Sequence, residues 1–205
     1  DTFEINVTGK GSHAAMPHEG IDTVVTAAAI VSALQTISSR NNHPADAVVV
    51  SVTQIHGGDT WNVIPENVVL RGTSRAFNAK VQDMIEPAIR RIAEGVCATY
   101  GATMEVSYKR CYPPTINAPE HADLSLAAAT QLVGADKVDQ NQKPSMGAED
   151  FSFMLNERPG SYIWLGAGED HVKLHNPAYD FNDDILPIGA AYWTSLVEET
   201  LGVDK

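Results

Sequence analysis

The sequence is poor in cysteine and in basic residues, and it has no long apolar run. Its two cysteines, Cys97 and Cys111, are too few for a disulfide framework. We expect both to be free thiols in a reducing compartment, which favours a cytoplasmic location. No apolar stretch approaches the roughly 20 residues that cross a bilayer, so we predict no membrane-spanning segment.

The shortage of basic residues also restricts the partners that the protein can bind. The chain has 14 lysines and arginines against 26 acidic residues, which gives a formal net charge of -12. Binding to nucleic acid or to an anionic membrane surface needs clustered positive charge. We therefore predict that neither nucleic acid nor a membrane is a partner.

Apolar periodicity predicts the fold of the first part of the chain. Hydrophobic residues make up 43% of the 205 residues, enough for the core of one large domain or two small ones. The pattern predicts strands at about 2–8, 47–56, 67–77 and 102–110, and helices at about 23–40 and 79–100. That order is typical of a ferredoxin-like α/β (α+β) sandwich, a βαββαβ fold with a four-stranded antiparallel sheet. Both helices should cover one sheet face and leave the other open and polar.

Helix ends and strand faces can also be predicted. Asp22 and Asn78 are candidate N-caps, and Gly101 is a candidate stop for the second helix. The first helix has an apolar stripe at helical spacing, formed by Val24, Ala27, Ala28, Val31 and Leu34. In the third strand Arg71 and Arg75 alternate with apolar or small residues, so both should lie on the open sheet face.

The Cys-Tyr-Pro-Pro sequence at 111–114 marks a boundary between domains of residues 1–112 and 113–205. The second domain is predicted to contain a buried strand at 162–165 and helices at about 119–133, 147–155 and 187–201. Because one or two strands cannot form a doubly covered parallel sheet, we expect an incomplete α/β unit. The chain also opens directly within a strand, so we expect it to be a fragment of a larger protein.

Five polar residues are candidates for chemistry, and each also has an ordinary structural explanation. His13 ends a Gly-rich turn, where a lone histidine is usually a surface residue, and Asn62 lies in a turn. Glu149 lies at a predicted helix start, where a carboxylate caps the helix. Arg75 is either a solvated charge or a two-pronged partner for a carboxylate. His175 follows the predicted buried strand, where α/β active sites gather, but zinc needs three or four protein ligands.

Taken in order, five motifs that contain these residues resemble the aminoacylase/carboxypeptidase metallopeptidase family. They are Gly-Lys-Gly-Ser-His at 9–13, Asn-Val-Ile-Pro at 62–65, Gly-Thr-Ser-Arg at 72–75, Gly-Ala-Glu-Asp-Phe at 147–151 and His-Asn-Pro at 175–177. The resemblance covers nearly the whole chain. It is nearest to hippurate hydrolases, bacterial N-acyl-amino-acid amidohydrolases and plant auxin-conjugate hydrolases. It implies a lid (dimerisation) domain at 1–112, followed by the C-terminal segment of a metal-dependent catalytic domain.

The resemblance also implies roles for the five candidates. His13 matches the lid histidine that reaches the substrate carbonyl, in several relatives across a dimer. Asn62 and Arg75 match lid positions that hold the substrate, Arg75 at its carboxylate. Glu149 matches an acidic position at the pocket edge, and His175 matches the C-terminal metal ligand.

The function that the resemblance implies for the parent enzyme is hydrolysis of the amide bond of N-acyl amino acids. The family uses divalent ions, two per site, and zinc, manganese, cobalt and nickel are all candidates. Of the family's metal ligands only His175 is present, because the Cys-Gly-His-Asp motif and the Glu-Glu pair that precede the lid are not in this chain. We therefore expect the chain alone to be inactive and to bind no metal tightly.

Several alternatives remain open at this point. N-acetyl-diaminopimelate deacetylation and dipeptide cleavage are reactions that the same motifs barely distinguish. A non-catalytic dimerisation or binding module is the alternative from a different class, because ferredoxin-like domains serve many functions. We also expect a homodimer through the lid, since the second strand should form an exposed sheet edge.

Overall fold

The computed structural model describes residues 1–168 and 171–202. The chain divides into two compact units. The first contains residues 1–114 with 146–148, and the second contains residues 115–145 with the described residues from 149 onward. No helix in the described ranges is both long and apolar enough to cross a membrane.

The first unit is built on a four-stranded antiparallel sheet, which confirms the predicted ferredoxin-like fold. Its elements are β1 Thr2–Thr8, β2 Ser12–His13, α1 Thr23–Leu34, β3 Val48–His56, β4 Val63–Ile64, β5 Asn67–Ala76, α2 Ala79–Tyr100 and β6 Thr103–Lys109. The strand order is β3-β5-β1-β6, and all three pairings are antiparallel. The second long strand of the chain, β3, therefore lies at one edge of the sheet, as predicted.

The core of this unit lies between one face of the sheet and the two helices. The buried apolar residues come from alternate strand positions and from one side of each helix; they include Phe3, Ile5, Val7, Val68, Leu70, Ile85 and Ile89. The opposite face is open and polar. There Arg71 donates to the Glu4 carboxylate at 2.6 Å and to the Gln54 amide oxygen at 3.4 Å. The predicted placement of Arg71 and Arg75 on this face is confirmed.

The predicted apolar stripe of α1 is partly wrong. The buried positions are Thr23, Thr26, Ala27, Ile30 and Leu34, whereas Val24 is 50% exposed. Two threonines take the inner face because their hydroxyls are satisfied there: Thr23 donates to the Pro65 carbonyl and Thr26 to the Asp22 carbonyl, each at 2.7 Å. A hydrogen-bonded hydroxyl is not costly to bury, and an apolar count cannot reveal this.

The helix ends follow the predicted capping residues. The Asp22 carboxylate accepts from the backbone N–H groups of Val24 and Val25, and Asn78 accepts from Val81. Gly101 ends α2 with a left-handed φ of 75°, a conformation that favours glycine. The α-helical part of α1 ends at Leu34, and a π-helical turn at Ile37–Asn41 follows.

The second unit contains α3 Pro119–Val133, α4 Phe151–Glu157 and α5 Leu186–Leu201, and α3 packs against α5. The predicted buried strand at 162–165 is wrong. Ile163, Trp164 and Leu165 are 40%, 59% and 43% exposed, and the unit has no strand among its described residues. A strand needs neighbouring strands that form hydrogen bonds with its backbone N–H and C=O groups. Here both backbone groups of Tyr162 bond to the Asn117 side chain instead. The Asn117 amide nitrogen donates to the Tyr162 carbonyl, and the Asn117 amide oxygen accepts from the Tyr162 N–H, each at 2.9 Å.

Candidate functional site

The short strands β2 and β4 bring together two of the sequence motifs. They pair antiparallel, with His13 directly opposite Val63. The backbone N–H of Ala14 donates to the Asn62 carbonyl at 2.9 Å. His13 and Asn62, which are 49 positions apart in the sequence, are therefore neighbours at one end of the first unit. Two-residue strands are too short to give a periodic pattern, so the sequence did not predict this pairing.

A glycine holds the base of the His13 loop. A side chain at Gly9 would collide with the Ile21 carbonyl oxygen and would place its Cβ 2.8 Å from Thr23 Cγ2. Beside it Lys10 and Ile21 exchange backbone hydrogen bonds of 3.2 and 2.9 Å. The turn after β1 is thus packed against the segment before α1, and this contact fixes the direction in which the chain continues to His13.

The His13 ring is oriented by its own loop. Its Nδ1 accepts a hydrogen bond of 3.1 Å from the backbone N–H of Ala15. An accepting nitrogen carries no proton, so the proton of the neutral ring lies on Nε2. His13 is exposed, and its Nε2–H group is therefore available to donate to an oxygen atom of a ligand.

Asn62 lies at the end of the turn between β3 and β4. Gly57 and Gly58 open this turn, and Gly58 has a left-handed φ of 83°. The Asn62 side chain is exposed and forms no hydrogen bond within residues 1–168 and 171–202. Its amide group is therefore free to contact a ligand beside His13.

Arg75 lies near the end of β5 and is half-buried. Its Nη1 donates to the Ser74 carbonyl at 2.9 Å and to the Asp1 carbonyl at 3.4 Å. In the described part of the chain it forms no ion pair with a carboxylate. The guanidinium group is anchored at one nitrogen by backbone oxygens and keeps donors for an added anion.

Arg75 lies at the opposite end of the sheet from His13. Asn67 at the start of β5 pairs with Thr8, the residue of β1 that leads into the His13 loop. From Asn67 to Arg75 an extended strand covers roughly 26 Å. The fold therefore brings His13 and Asn62 together, but it does not bring Arg75 to them.

A buried polar network surrounds the Arg75 end of the sheet. Asp1 is buried, with 6% of the residue exposed. Its carboxylate accepts from the Gln82 amide at 2.9 Å, the Tyr108 hydroxyl at 2.7 Å and the Cys111 backbone N–H at 3.0 Å. Ser74 lies 2.9 Å from the same tyrosine oxygen. Burial raises the pKa of Tyr108 above its usual value.

The Glu149 carboxylate is engaged within the second unit. It accepts from the Tyr162 hydroxyl at 2.7 Å and from the Phe151 backbone N–H at 3.4 Å. The hydrogen bond from Tyr162 is the main cause that lowers the pKa of Glu149 below its usual value. These contacts join the start of α4 to the segment around Tyr162. The role of Glu149 in substrate binding stays a prediction.

His175 lies in an exposed loop of the second unit with a left-handed φ of 66°. Such a backbone is uncommon for residues other than glycine and is found more often at functional sites. Four residues earlier, the Nε2 of His171 is buried without a hydrogen-bond partner in the described residues. Yet no group of three or more His, Cys, Asp or Glu side chains in those residues could hold a metal ion. The residues that the structure describes do not form a metal centre on their own.

Comparison with known proteins identifies the family. Residues 4–199 match the model of Peptidase family M20/M25/M40. The chain belongs to this family. It is 34% identical over 196 residues to N-acetylcysteine deacetylase of Bacillus subtilis, covering 96% of this chain and 50% of that protein. It is 34% identical over 204 residues to IAA-amino acid hydrolase ILR1-like 2 of Arabidopsis thaliana, covering 97% of this chain and 46% of that protein.

A solved M20 structure has a similar fold. A dinuclear metal binding peptidase of the M20 family from Bacillus subtilis is 28% identical, with a TM-score of 0.72 over 98% of this chain and 49% of that chain. The M20 chain described here thus spans about half the length of the curated relatives it matches. The family resemblance predicted from the five motifs is confirmed.

Sequence reasoning missed two features of this M20 chain. One is the buried network around Asp1, because nothing in the sequence marks that carboxylate as buried. The other is the exposure of three apolar residues on the segments that carry His13 and Asn62, namely Met16, Trp61 and Val63. The sequence did contain a signal for this exposure: Trp61 directly follows Gly-Gly-Asp-Thr, and turns of that composition lie on the surface.

Proposed function

We propose that this chain is the substrate-binding half of a metal-dependent hydrolase that cleaves the amide bond of N-acyl amino acids. The observation that carries the proposal is the orientation of the His13 ring beside Asn62, with Nδ1 occupied by Ala15 and the Nε2–H group free. The names of the related N-acetylcysteine deacetylase and IAA-amino acid hydrolase support this class of substrate.

The chemistry proposed for this chain is binding and charge stabilisation. When water adds to an amide carbonyl, negative charge develops on the carbonyl oxygen. A fixed donor at that oxygen, such as His13 Nε2–H, lowers the barrier. The Asn62 amide is a second donor in the same place. The metal would supply the activated water, and its ligands other than His175 would come from the part of the relatives that this chain does not span.

Arg75 is proposed to bind the carboxylate of the amino acid. The substrate is negatively charged, and a guanidinium group can pair with a carboxylate through two parallel hydrogen bonds. The open sheet face around Arg75 leaves room for such a ligand, and the buried network beneath it holds the end of β5 in place. In a chain with a net charge of -12, a fixed cation is needed to attract an anionic substrate.

The separation of these groups leads us to propose that each active site uses two copies of the chain. An extended N-acyl amino acid is about 7 Å long, that is, two residue lengths. Arg75 and the His13 loop of one copy are separated by roughly 26 Å of strand. One substrate cannot contact both. We propose that His13 and Asn62 of one copy meet the substrate that Arg75 of the second copy holds.

The two sheet edges differ in a way that favours β3 as the dimer contact. At the β6 edge, Arg90 donates to the Val106 carbonyl at 2.9 Å, and Glu86 accepts from the same guanidinium at 2.8 Å. This side chain covers a backbone acceptor that a partner strand would need. By contrast, Val49 and Ile55 of β3 are exposed apolar residues, as are Val24 and Val25 of α1. A second copy on β3 would bury them.

The test is steady-state kinetics of the whole protein on a free N-acyl amino acid and on its carboxyl-amidated analogue, with several divalent metals. His13→Ala should lower kcat by a factor on the order of 100 to 1000 and leave KM nearly unchanged, because the interaction strengthens in the transition state. Arg75→Ala should mainly raise KM and reduce the preference for the free carboxylate. Arg75→Lys should rescue only in part, since the planar two-pronged geometry is lost.

Two results would count against the proposal. The absence of hydrolysis of any N-acyl amino acid by the metal-loaded protein would rule out the activity. If Arg75→Ala left the preference for the free carboxylate unchanged, Arg75 would be a solvated charge on an open sheet face.

A further inference from the structure

The Arg75 guanidinium group is held at one of its three nitrogens. Nη1 donates to the Ser74 carbonyl at 2.9 Å and to the Asp1 carbonyl at 3.4 Å. Within residues 1–168 and 171–202, Nε and Nη2 donate to no other group. These two nitrogens lie on one edge of the planar group and present two parallel donors, the arrangement that a carboxylate accepts. The position of Nη1 therefore sets the direction of the edge that is left for a substrate.

The two carbonyls that hold Nη1 belong to one backbone pair. The backbone nitrogen of Asp1 donates to the Ser74 carbonyl at 3.0 Å, and the Ser74 N–H donates to the Asp1 carbonyl at 3.1 Å. The two residues thus continue the antiparallel β1–β5 ladder as a hydrogen-bonded pair. A carbonyl oxygen has two lone pairs, so each can accept from Nη1 as well. If either residue shifted, an acceptor of Nη1 would move with it and the free edge of the guanidinium would turn.

The Tyr108 hydroxyl joins the side chains of the same two residues on the face that the helices cover. Its O–H donates to the Asp1 carboxylate at 2.7 Å, and its oxygen lies 2.9 Å from the Ser74 hydroxyl. Because an ionised carboxylate can only accept, the tyrosine proton is directed to Asp1, and the Ser74 hydroxyl donates to the tyrosine oxygen. Asp1 and Ser74 are only 6% and 1% exposed, so water has little access to replace these bonds.

We infer that Tyr108 is a positioning residue for the substrate carboxylate, because its one hydroxyl fixes the two residues whose carbonyls hold the Arg75 guanidinium. The inference rests on the proposed function. Gln82 and the Cys111 N–H also donate to the Asp1 carboxylate, but the bonds of Tyr108 reach both Asp1 and Ser74.

Tyr108 acts on the substrate only through its neighbours. Its ring packs against the core, whereas Arg75 lies on the open face, since neighbouring residues of a strand point to opposite faces and Ser74 is buried. The tyrosine should therefore influence how well a carboxylate is bound. It should have little influence on how fast the amide bond breaks.

The experiment measures kcat and KM of the whole protein on a free N-acyl amino acid and on its carboxyl-amidated analogue. Tyr108→Phe should raise KM for the free acid on the order of threefold to tenfold, which corresponds to one hydrogen bond, and leave kcat nearly unchanged. KM for the amidated analogue should stay the same. Ser74→Ala removes the other bond of the tyrosine oxygen and should act in the same direction. It is the second variant if Tyr108→Phe is too unstable to assay.

Two controls separate positioning from a general loss of structure. Ile89→Val shortens a fully buried side chain of α2 away from this network, costs stability of a similar order, and should change neither KM. In an Arg75→Ala background, Tyr108→Phe should have no further effect on KM for the free acid, because the group that it positions is gone. A further rise as large as in wild type, or an equal rise of KM for both substrates, would overturn the inference.

Crystal structures of the whole wild-type protein and of Tyr108→Phe give a readout that needs no activity. In the variant, Nη1 of Arg75 should lose its contact with at least one of the two carbonyls. If the protein hydrolysed no N-acyl amino acid, the proposed function would fail, but a displaced guanidinium would still support the positioning role. A guanidinium in its wild-type position would overturn the inference whatever the activity.

Discussion

At the scale of single residues, the Asp1 carboxylate depends on neutral donors. It is buried, and it accepts hydrogen bonds from Gln82, Tyr108 and Cys111. A carboxylate without such partners would be costly to bury. These donors come from α2, from β6 and from the segment after β6, so the carboxylate joins three parts of the first unit. The Tyr108 hydroxyl therefore has a role in stability beyond the packing of its ring.

The first prediction concerns the stability of Tyr108→Phe at high pH. Burial raises the pKa of Tyr108 in the folded protein above its usual value of about 10. A raised pKa gives stability that is fully present below the unfolded value and is lost as pH rises through the folded value. Wild-type protein should therefore lose unfolding free energy above about pH 10, and Tyr108→Phe should lack this part of the loss.

The variant should also be less stable at neutral pH, by about 1 to 3 kcal/mol, because a buried carboxylate loses a donor. Urea unfolding curves between pH 7 and pH 11 measure both effects. Tyr100→Phe is the control, since Tyr100 is exposed at the end of α2, and it should change neither effect. If the unfolding free energies of wild type and Tyr108→Phe fell equally steeply with pH above about pH 10, the raised pKa of Tyr108 would be disproved.

At the scale of secondary-structure elements, α1 has two different faces. Thr23, Ile30 and Leu34 are fully buried against the sheet, while Val24 and Val25 are exposed near the first turn. Branched apolar residues are poor choices for a solvated helix start. Their exposure supports the proposal that a second copy covers this part of α1.

The second prediction is that Val25→Glu dissociates the dimer without unfolding α1. Val25 is the third residue of a helix whose N-cap is Asp22. A glutamate there interacts favourably with the helix dipole, so the helix itself should be stabilised by about 0.3 to 1 kcal/mol. At the contact, the buried charge should weaken association on the order of 100-fold.

Sedimentation velocity over a range of protein concentrations gives the dissociation constant, and circular dichroism gives the helix content. Tyr100→Glu is the matched control, because this exposed aromatic residue lies at the end of α2, away from β3. A Val25→Glu variant that stays dimeric at every concentration would exclude the α1 start from the interface.

The same scale shows which parts of the structure the sequence could predict. Long periodic segments were predicted well: β1, α2 and α3 have the expected bounds, because their apolar spacing and capping residues agree. The pairing of β2 with β4 depends on contacts between residues far apart in sequence. The apolar run at 162–165 was misread, because its hydrogen-bond partner is one side-chain amide, that of Asn117. For the candidate site, the motifs predicted which residues take part, but not how far apart they lie. Only the sheet register showed that Arg75 is far from His13.

At the scale of the whole molecule, the third prediction concerns metal binding. Among the described residues, no group of three or more His, Cys, Asp or Glu side chains could hold a metal ion, and a catalytic zinc ion needs three protein ligands. The isolated 205-residue chain should therefore bind no stoichiometric zinc at submicromolar concentration, as measured by equilibrium dialysis with elemental analysis. His175→Ala should not change the result. One tightly bound zinc per chain, lost in His175→Ala, would show that the chain holds a metal centre by itself.

The last prediction tests whether two copies share each active site. At a substrate concentration well below the raised KM of Arg75→Ala, the whole protein with His13→Ala and the whole protein with Arg75→Ala should each be nearly inactive. If a site takes His13 from one copy and Arg75 from the other, a mixed dimer has one intact site and one site with both defects. After subunit exchange about half of the dimers are mixed, so activity should recover to about a quarter of the wild-type value. A mixture of His13→Ala with Asn62→Ala is the control and should recover nothing, because these residues lie side by side and serve the same site. If every site used one copy alone, each site of every mixed dimer would keep one defect, and the first mixture would stay as inactive as its parents.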